Sequence, residues 1–182
     1  MKTQLIIAAA AAATFAGGAI AADQGFYVGG NVGASKADIS GAGEIKDTPT
    51  TWGVYGGYDF TRNFAVELGY QDLGKSKAGG LESKNEAVSV DLVGKYPVTE
   101  RFDVYGKVGL AYMDRDLRGA GYDESKSGTA AKIGFGGEFK ATQNVGIRAE
   151  VAHYAGGPTF DATNASFDSN QTLFTMGVNY KF

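Results

Sequence analysis

The chain has 182 residues, 17 Lys and Arg against 20 Asp and Glu for a formal net charge of −3, and no cysteine. So small a charge gives no electrostatic footprint for nucleic acid, and the lack of cysteine excludes a disulfide framework and thiolate metal sites. With 28 Gly, 10 Tyr and 11 Phe against 3 Pro, the composition favours many strands and turns over packed helices.

At the N-terminus, Lys2 precedes an apolar stretch from Leu5 to Ile20 that closes on Ala19-Ile20-Ala21, ahead of Asp23. A basic residue, a short apolar region and a small-x-small site together predict a cleaved secretory signal peptide. A retained anchor would need about twenty strongly apolar residues, and this stretch is rich in Ala and Gly. The expected organisation is therefore a signal peptide over 1–21 and one domain over 22–182. Loss of Lys2 takes the net charge from −3 to −4. Beyond this segment no apolar run approaches a spanning helix, so any membrane crossing rests on strands.

Eight stretches with apolar side chains at alternate positions follow, at about 25–35, 51–60, 64–73, 87–96, 102–113, 129–140, 145–154 and 171–182. The connections after the second, fourth and sixth are short: Thr61-Arg62-Asn63, Pro97 to Arg101, and Ala141 to Asn144. Those after the first, third, fifth and seventh, 36–50, 74–86, 114–128 and 155–170, are long and rich in Gly, Ser, Asp and Lys. Strict alternation of short and long predicts an all-β fold, an eight-stranded antiparallel up-and-down transmembrane β-barrel with periplasmic turns, external loops and both ends inside. A strand of about ten residues, rising ~3.3 Å each at ~40° tilt, covers the ~25 Å apolar band of an outer membrane.

One face of these strands is apolar from end to end, running from Phe26, Val28 and Val32 through Leu68, Val90, Leu92, Leu110, Ile133, Phe135 and Val151. Its aromatics gather at the strand ends. Tyr58, Phe60, Phe64, Tyr96, Phe102, Phe139, Tyr180 and Phe182 lie near the short turns, and Trp52, Tyr70, Tyr112 and Phe174 near the long loops. Two interfacial belts are expected, with this face in lipid. The last strand keeps Phe174, Met176, Val178, Tyr180 and Phe182 in one phase up to a terminal aromatic, the expected assembly signal. The opposite face mixes glycine with Asp59, Glu67, Asp91, Lys95, Asp103, Lys107, Lys132, Glu138, Arg148, Glu150 and Lys181. An eight-stranded barrel is only just wide enough for side chains to fill, so these charges must pair. A soluble ligand barrel with the apolar face inside fails on volume, since about thirty large side chains do not fit there.

Catalytic, metal and cofactor chemistry find little support. The only His, His153, has no serine two residues on and no partner nucleophile in its motif. Asp114-Arg115-Asp116-Leu117-Arg118-Gly119 resembles the start of a calcium loop, but Arg118 takes a ligand position and Ser125 stands where the closing Glu is required. Gly134-Phe135-Gly136-Gly137 leads into strand and makes no phosphate cradle.

The chain resembles the eight-stranded transmembrane domain of the outer membrane protein A (OmpA) family and related small outer-membrane barrels. The resemblance is carried by Tyr55-Gly56-Gly57-Tyr58, Glu67-Leu68-Gly69-Tyr70, Leu73-Gly74, Tyr96-Pro97-Val98-Thr99 and Asp103-Val104-Tyr105. It continues in Gly136-Gly137-Glu138, Arg148-Ala149-Glu150 and the closing Gly177-Val178-Asn179-Tyr180-Lys181-Phe182. It implies a lumenal Glu67–Arg148 salt bridge acting as a gate, with Glu138, Glu150 and Lys107 as further lumenal charges. The family's interior lysine on the fourth strand falls at Val93, leaving Lys95 as its nearest stand-in. Longer members add a peptidoglycan-binding domain; nothing follows Phe182, so the barrel alone is expected.

The expected role is a cell outer membrane protein serving envelope integrity and surface contacts, its lumen closed by the charge network. The alternatives are a low-conductance gated pore or an adhesin, and behind them a lipid A-modifying enzyme. Expected partners are outer-membrane lipids and lipopolysaccharide, the barrel-assembly machinery and periplasmic chaperones. The external loops, with Phe160 and Phe167 in the last, are the surface for a host ligand.

Overall fold

The computed structural model describes residues 24–38, 49–78, 81–119, 122–156 and 170–182. The signal-peptide segment, Phe160 and Phe167 lie outside the described residues. Eight strands follow in order: β1 Gly25–Asp38, β2 Thr50–Asp59, β3 Phe64–Ala78, β4 Leu81–Pro97, β5 Phe102–Gly119, β6 Tyr122–Lys140, β7 Val145–Gly156 and β8 Asn170–Lys181. Each pairs antiparallel with its chain neighbours, and β8 pairs with β1 to close the barrel. Closure gives each strand a partner on both edges where it crosses the membrane, which a bilayer requires because it offers the backbone no water.

The register sets the interior geometry. Starting at Tyr27, cross-strand partners run Gly57, Glu67, Asp91, Gly109, Lys132, Tyr154, Gln171 and back to Ala37. One circuit of eight strands therefore climbs from residue 27 to residue 37, a stagger of ten residues, and strands so staggered tilt by roughly 35–45°. A level cut through the barrel advances ten-eighths of a residue per strand, which fixes the height of every lumenal side chain.

The apolar face points outward, as its alternation requires. Val32, Leu92, Leu110, Ile133, Phe135 and Met176 are all exposed. The belts are contiguous: Phe26, Tyr58 and Phe60 stack in series with ring centroids 4.8 and 5.1 Å apart, and Trp52 meets Tyr70 at 5.8 Å.

Four strands extend further than their hydrophobic pattern. Most of 74–86 and 114–128, read as loops, is strand, with Lys75 opposite Lys84 and Arg118 opposite both Glu82 and Asp123. Both faces of a hairpin meet water once it leaves the membrane. The period-two signal then disappears while backbone pairing continues. Asp114 to Gly119 is accordingly extended β5, a conformation unable to wrap a calcium ion. A register shift in β3 between Asp72 and Lys75 is accommodated by Gly74, whose φ of 86° lies in the left-handed region and whose N–H donates to Asp72 Oδ1 at 2.8 Å.

The three short turns are built alike. Thr61, Thr99 and Thr142 each accept, through Oγ1, the N–H two residues on, at 3.2, 3.3 and 3.3 Å. Asn63 and Asn144 then donate through Nδ2 to the carbonyls of Lys95 and Lys181 at 3.0 and 2.7 Å, tying each turn to the next hairpin. The recurring Thr-x-x-Phe/Val spacing is the sequence form of this device.

Inside, tyrosine and glycine interlock. Tyr27 lies opposite Gly57, Tyr55 opposite Gly29, and Tyr105 opposite Gly136, and a Cβ on any of these glycines would run into the facing ring. Gly57→Val is expected to destabilise the barrel by about 1–3 kcal/mol, the usual cost of overpacking, read from urea unfolding in lipid vesicles. An unchanged midpoint would show that the Tyr27 ring has room to move.

Candidate functional site: the charged lumen

Where the strands cross the membrane, every second residue faces the lumen, and the stagger sorts these residues into layers. Nearest the short turns, Asp59 pairs with Lys95 at 2.7 Å and Lys181 at 3.0 Å, and Asp103 pairs with Lys140 at 2.7 Å. Above them lies a network of five charges in the order Glu138, Arg148, Glu67, Lys107, Glu150. Arg148 donates through Nε to Glu138 at 2.7 Å and through Nη1 to Glu67 at 2.9 Å. Lys107 Nζ meets Glu67 at 2.5 Å and Glu150 at 2.7 Å. Nearer the outer end, Lys132 Nζ holds Asp91 at 2.6 Å and Ser89 at 3.1 Å.

Aromatic rings enclose the central network. The guanidinium carbon of Arg148 stands 5.0 to 5.1 Å from the ring centres of Tyr27, Tyr55 and Tyr105. Two of these rings also donate, Tyr27 Oη to Glu67 at 3.0 Å and Tyr105 Oη to Glu150 at 2.9 Å. Glu67 thus accepts from Lys107, Arg148 and Tyr27 while only 2% exposed. A carboxylate so enclosed persists as an ion because charged donors replace its water.

The structure brings Glu67, Arg148, Lys107, Glu138 and Glu150 into one network and gives Asp91 and Lys132 a pair of their own. Lys95 does not stand in for the family's lysine: it is held by Asp59 and lies over the Tyr27 ring, 4.6 Å from its centre. Glu67's second cation is Lys107 of β5 instead. Val93 is buried among Tyr27, Tyr55, Ala65 and Tyr105, where an ammonium would meet rings and methyl groups. Two features were missed. Lys140 joins the lumen and, among the described residues, brings its bases to six against six acids, Asp59, Glu67, Asp91, Asp103, Glu138 and Glu150. The tyrosines at 27, 55, 105 and 154 share the parity of the charges, and that parity was the available signal.

The remaining features lie at the surface. His153 faces outward near the outer rim, its Nδ1 3.0 Å from the Thr172 hydroxyl on β8. Phe182 follows β8 and donates its N–H to the Phe26 carbonyl at 3.0 Å, fastening the chain end to β1.

Residues 6–182 match the family model described as the outer membrane protein beta-barrel domain. The chain belongs to the outer membrane protein β-barrel family. Outer membrane protein P5 of Haemophilus influenzae is 31% identical over 93% of this chain and 54% of that protein. Outer membrane protein A of Shigella flexneri is 28% identical over the whole chain and 56% of that protein. The chain therefore spans about half the length of these relatives. Neisserial surface protein A shares the fold with a TM-score of 0.71 at 17% identity, covering 86% of this chain and 97% of that one. Ail of Yersinia pestis does so at 0.63 and 18% identity, covering 88% and 99%. Family and closed barrel together make this an OmpA-like outer-membrane β-barrel protein, and its place is the outer membrane.

Proposed function

We propose that this outer-membrane barrel serves envelope integrity and surface contact through a closed lumen, without enzymatic activity. One observation carries the reading: among the described residues, all six lumenal acids and all six lumenal bases are ion-paired, so that none of these twelve is free to line a water-filled path. Pairs of this kind, packed between tyrosine rings, hold strands in register as a polar core does. The test is conductance of the purified, refolded protein in a planar bilayer, wild type against Glu67→Ala and Arg148→Ala. Silence in all three is the expected result. Discrete openings that change when either charge is removed would replace this reading with that of a gated pore.

A second reading, surface recognition, has its own observation. β3 to β6 run past the aromatic belt as one paired sheet on the loop side. A paired platform of this kind suits binding. Ail has been solved in complex with the heparin analogue sucrose octasulfate, and a sulfated or host-surface ligand on this sheet is the counterpart we infer here.

For biogenesis we infer export through residues 1–21, escort by periplasmic chaperones and insertion by the barrel-assembly machinery. The in-phase row Phe174, Met176, Val178, Tyr180 and Phe182 faces lipid on β8 and just beyond it, all five exposed. Deleting Phe182 removes the β1 contact and the edge-on Tyr180 stack at 5.2 Å. Outer-membrane yield after fractionation is expected to fall several-fold, and an unchanged yield would refute the assignment.

A further inference from the structure

The outer half of the lumen carries an apolar layer beside buried Ser35, Thr51 and Gln171. Leu73, Met113, Leu173, Tyr154 and four alanines form one continuous buried cluster there, each at most 4% exposed. The stagger places them as a cap on the loop side of Asp91 and the central network. Beneath the cap is a cavity of about 20 Å³, room for about one water molecule. Its walls include Asn31, Tyr55, Gln71, Ser89 and Thr175. Asn31 Oδ1, Tyr55 Oη and Gln71 Nε2 are buried there without a protein hydrogen-bond partner. Two acceptors and two donors converging on a water-sized space, the hydroxyl counting as both, are what an internal water requires.

We propose that the lumen is closed twice, by the Arg148–tyrosine layer and by this outer apolar cap, with a hydrated chamber between them. The cap is an independent barrier because its apolar side chains, an arc over β3 to β8 that the hydrogen-bonded Gln171–Ser35 pair completes between β8 and β1, give an entering ion little in exchange for its hydration shell. The chamber offers a partner to Asn31 Oδ1, Tyr55 Oη and Gln71 Nε2. This inference rests on the reading that the lumen is closed and adds which layers close it. Opening the charge layer alone therefore leaves the barrel shut.

The test compares wild type, Arg148→Ala, the pair Leu73→Ser with Leu173→Ser, and all three changes together in planar bilayers, with folding checked by heat-modifiable gel mobility. Silence in the first three and discrete openings in the triple variant are the expected results. Openings in Arg148→Ala alone, with silent wild type, would overturn the outer cap while leaving the closed resting lumen intact; so would a silent, folded triple variant. A conducting wild type would instead overturn the closed reading itself.

The naturally cysteine-free chain permits a second readout that does not need the triple variant to fold. Ser89→Cys, in vesicles with the loop end outward, is challenged with a charged methanethiosulfonate. It is expected to stay unlabelled in the otherwise native barrel and to label once Leu173→Ser is added. Labelling without that change, or none with it, would overturn the cap.

Discussion

Replacing Glu67 with alanine is expected to cost about 3–5 kcal/mol of barrel stability, the cost of leaving buried charges without their partner. Glu67 accepts from three groups on three other strands, Lys107 of β5, Arg148 of β7 and Tyr27 of β1. Removal leaves Arg148 with Glu138 alone and Lys107 with Glu150 alone, both within a shell of tyrosine rings. No nearby residue restores the lost charge, because Asp59 and Asp91 are engaged in other layers. Unfolding in urea and lipid vesicles, followed by the fluorescence of the single tryptophan, Trp52, would measure it. A loss below about 1 kcal/mol, the range of exposed ion pairs, would show that water reaches this layer and weaken the case for a closed lumen.

Leu68→Arg is expected to cost about 2–4 kcal/mol, the depth-dependent cost of a guanidinium facing lipid near the bilayer midplane. Leu68 is 47% exposed on β3, between the aromatic belts and flanked by Gly56 and Val90. Its outward side has only hydrocarbon to meet. Tyr96→Arg, in the belt beside the short turns, should cost only ~0–1 kcal/mol in the same assay, since the head group is within reach of the interface. Equal costs at both sites would mean that the apolar face is not the lipid face.

Much of the architecture was legible because its cause is local. Alternation in Val88, Val90 and Leu92, or in Val108, Leu110 and Tyr112, exposes one face of a strand wherever that strand is later placed. The outer reaches of β3 to β6 were not legible, since beyond the membrane both faces are polar and pairing leaves no periodic trace. The lumenal tyrosines were half legible. Parity sets Tyr27, Tyr55 and Tyr105 inside, but the glycines that make room for them sit on neighbouring strands. The partner of Lys95 was not legible for a related reason: parity sets it among the lumenal charges, whereas only the cross-strand register delivers it to Asp59.

The sequence by itself determined the number of membrane strands, their up-and-down order and the face each turns to lipid, because side-chain parity and connection length are properties of short segments. Only the tertiary structure decided which charges meet. Arg148 reaches Glu67 across 81 residues because ten residues of stagger bring β7 and β3 to similar heights on facing walls. The apolar cap is likewise a product of assembly. Leu73, Met113 and Leu173 lie far apart in the chain and have little in common beyond parity until closure of eight tilted strands sets them side by side.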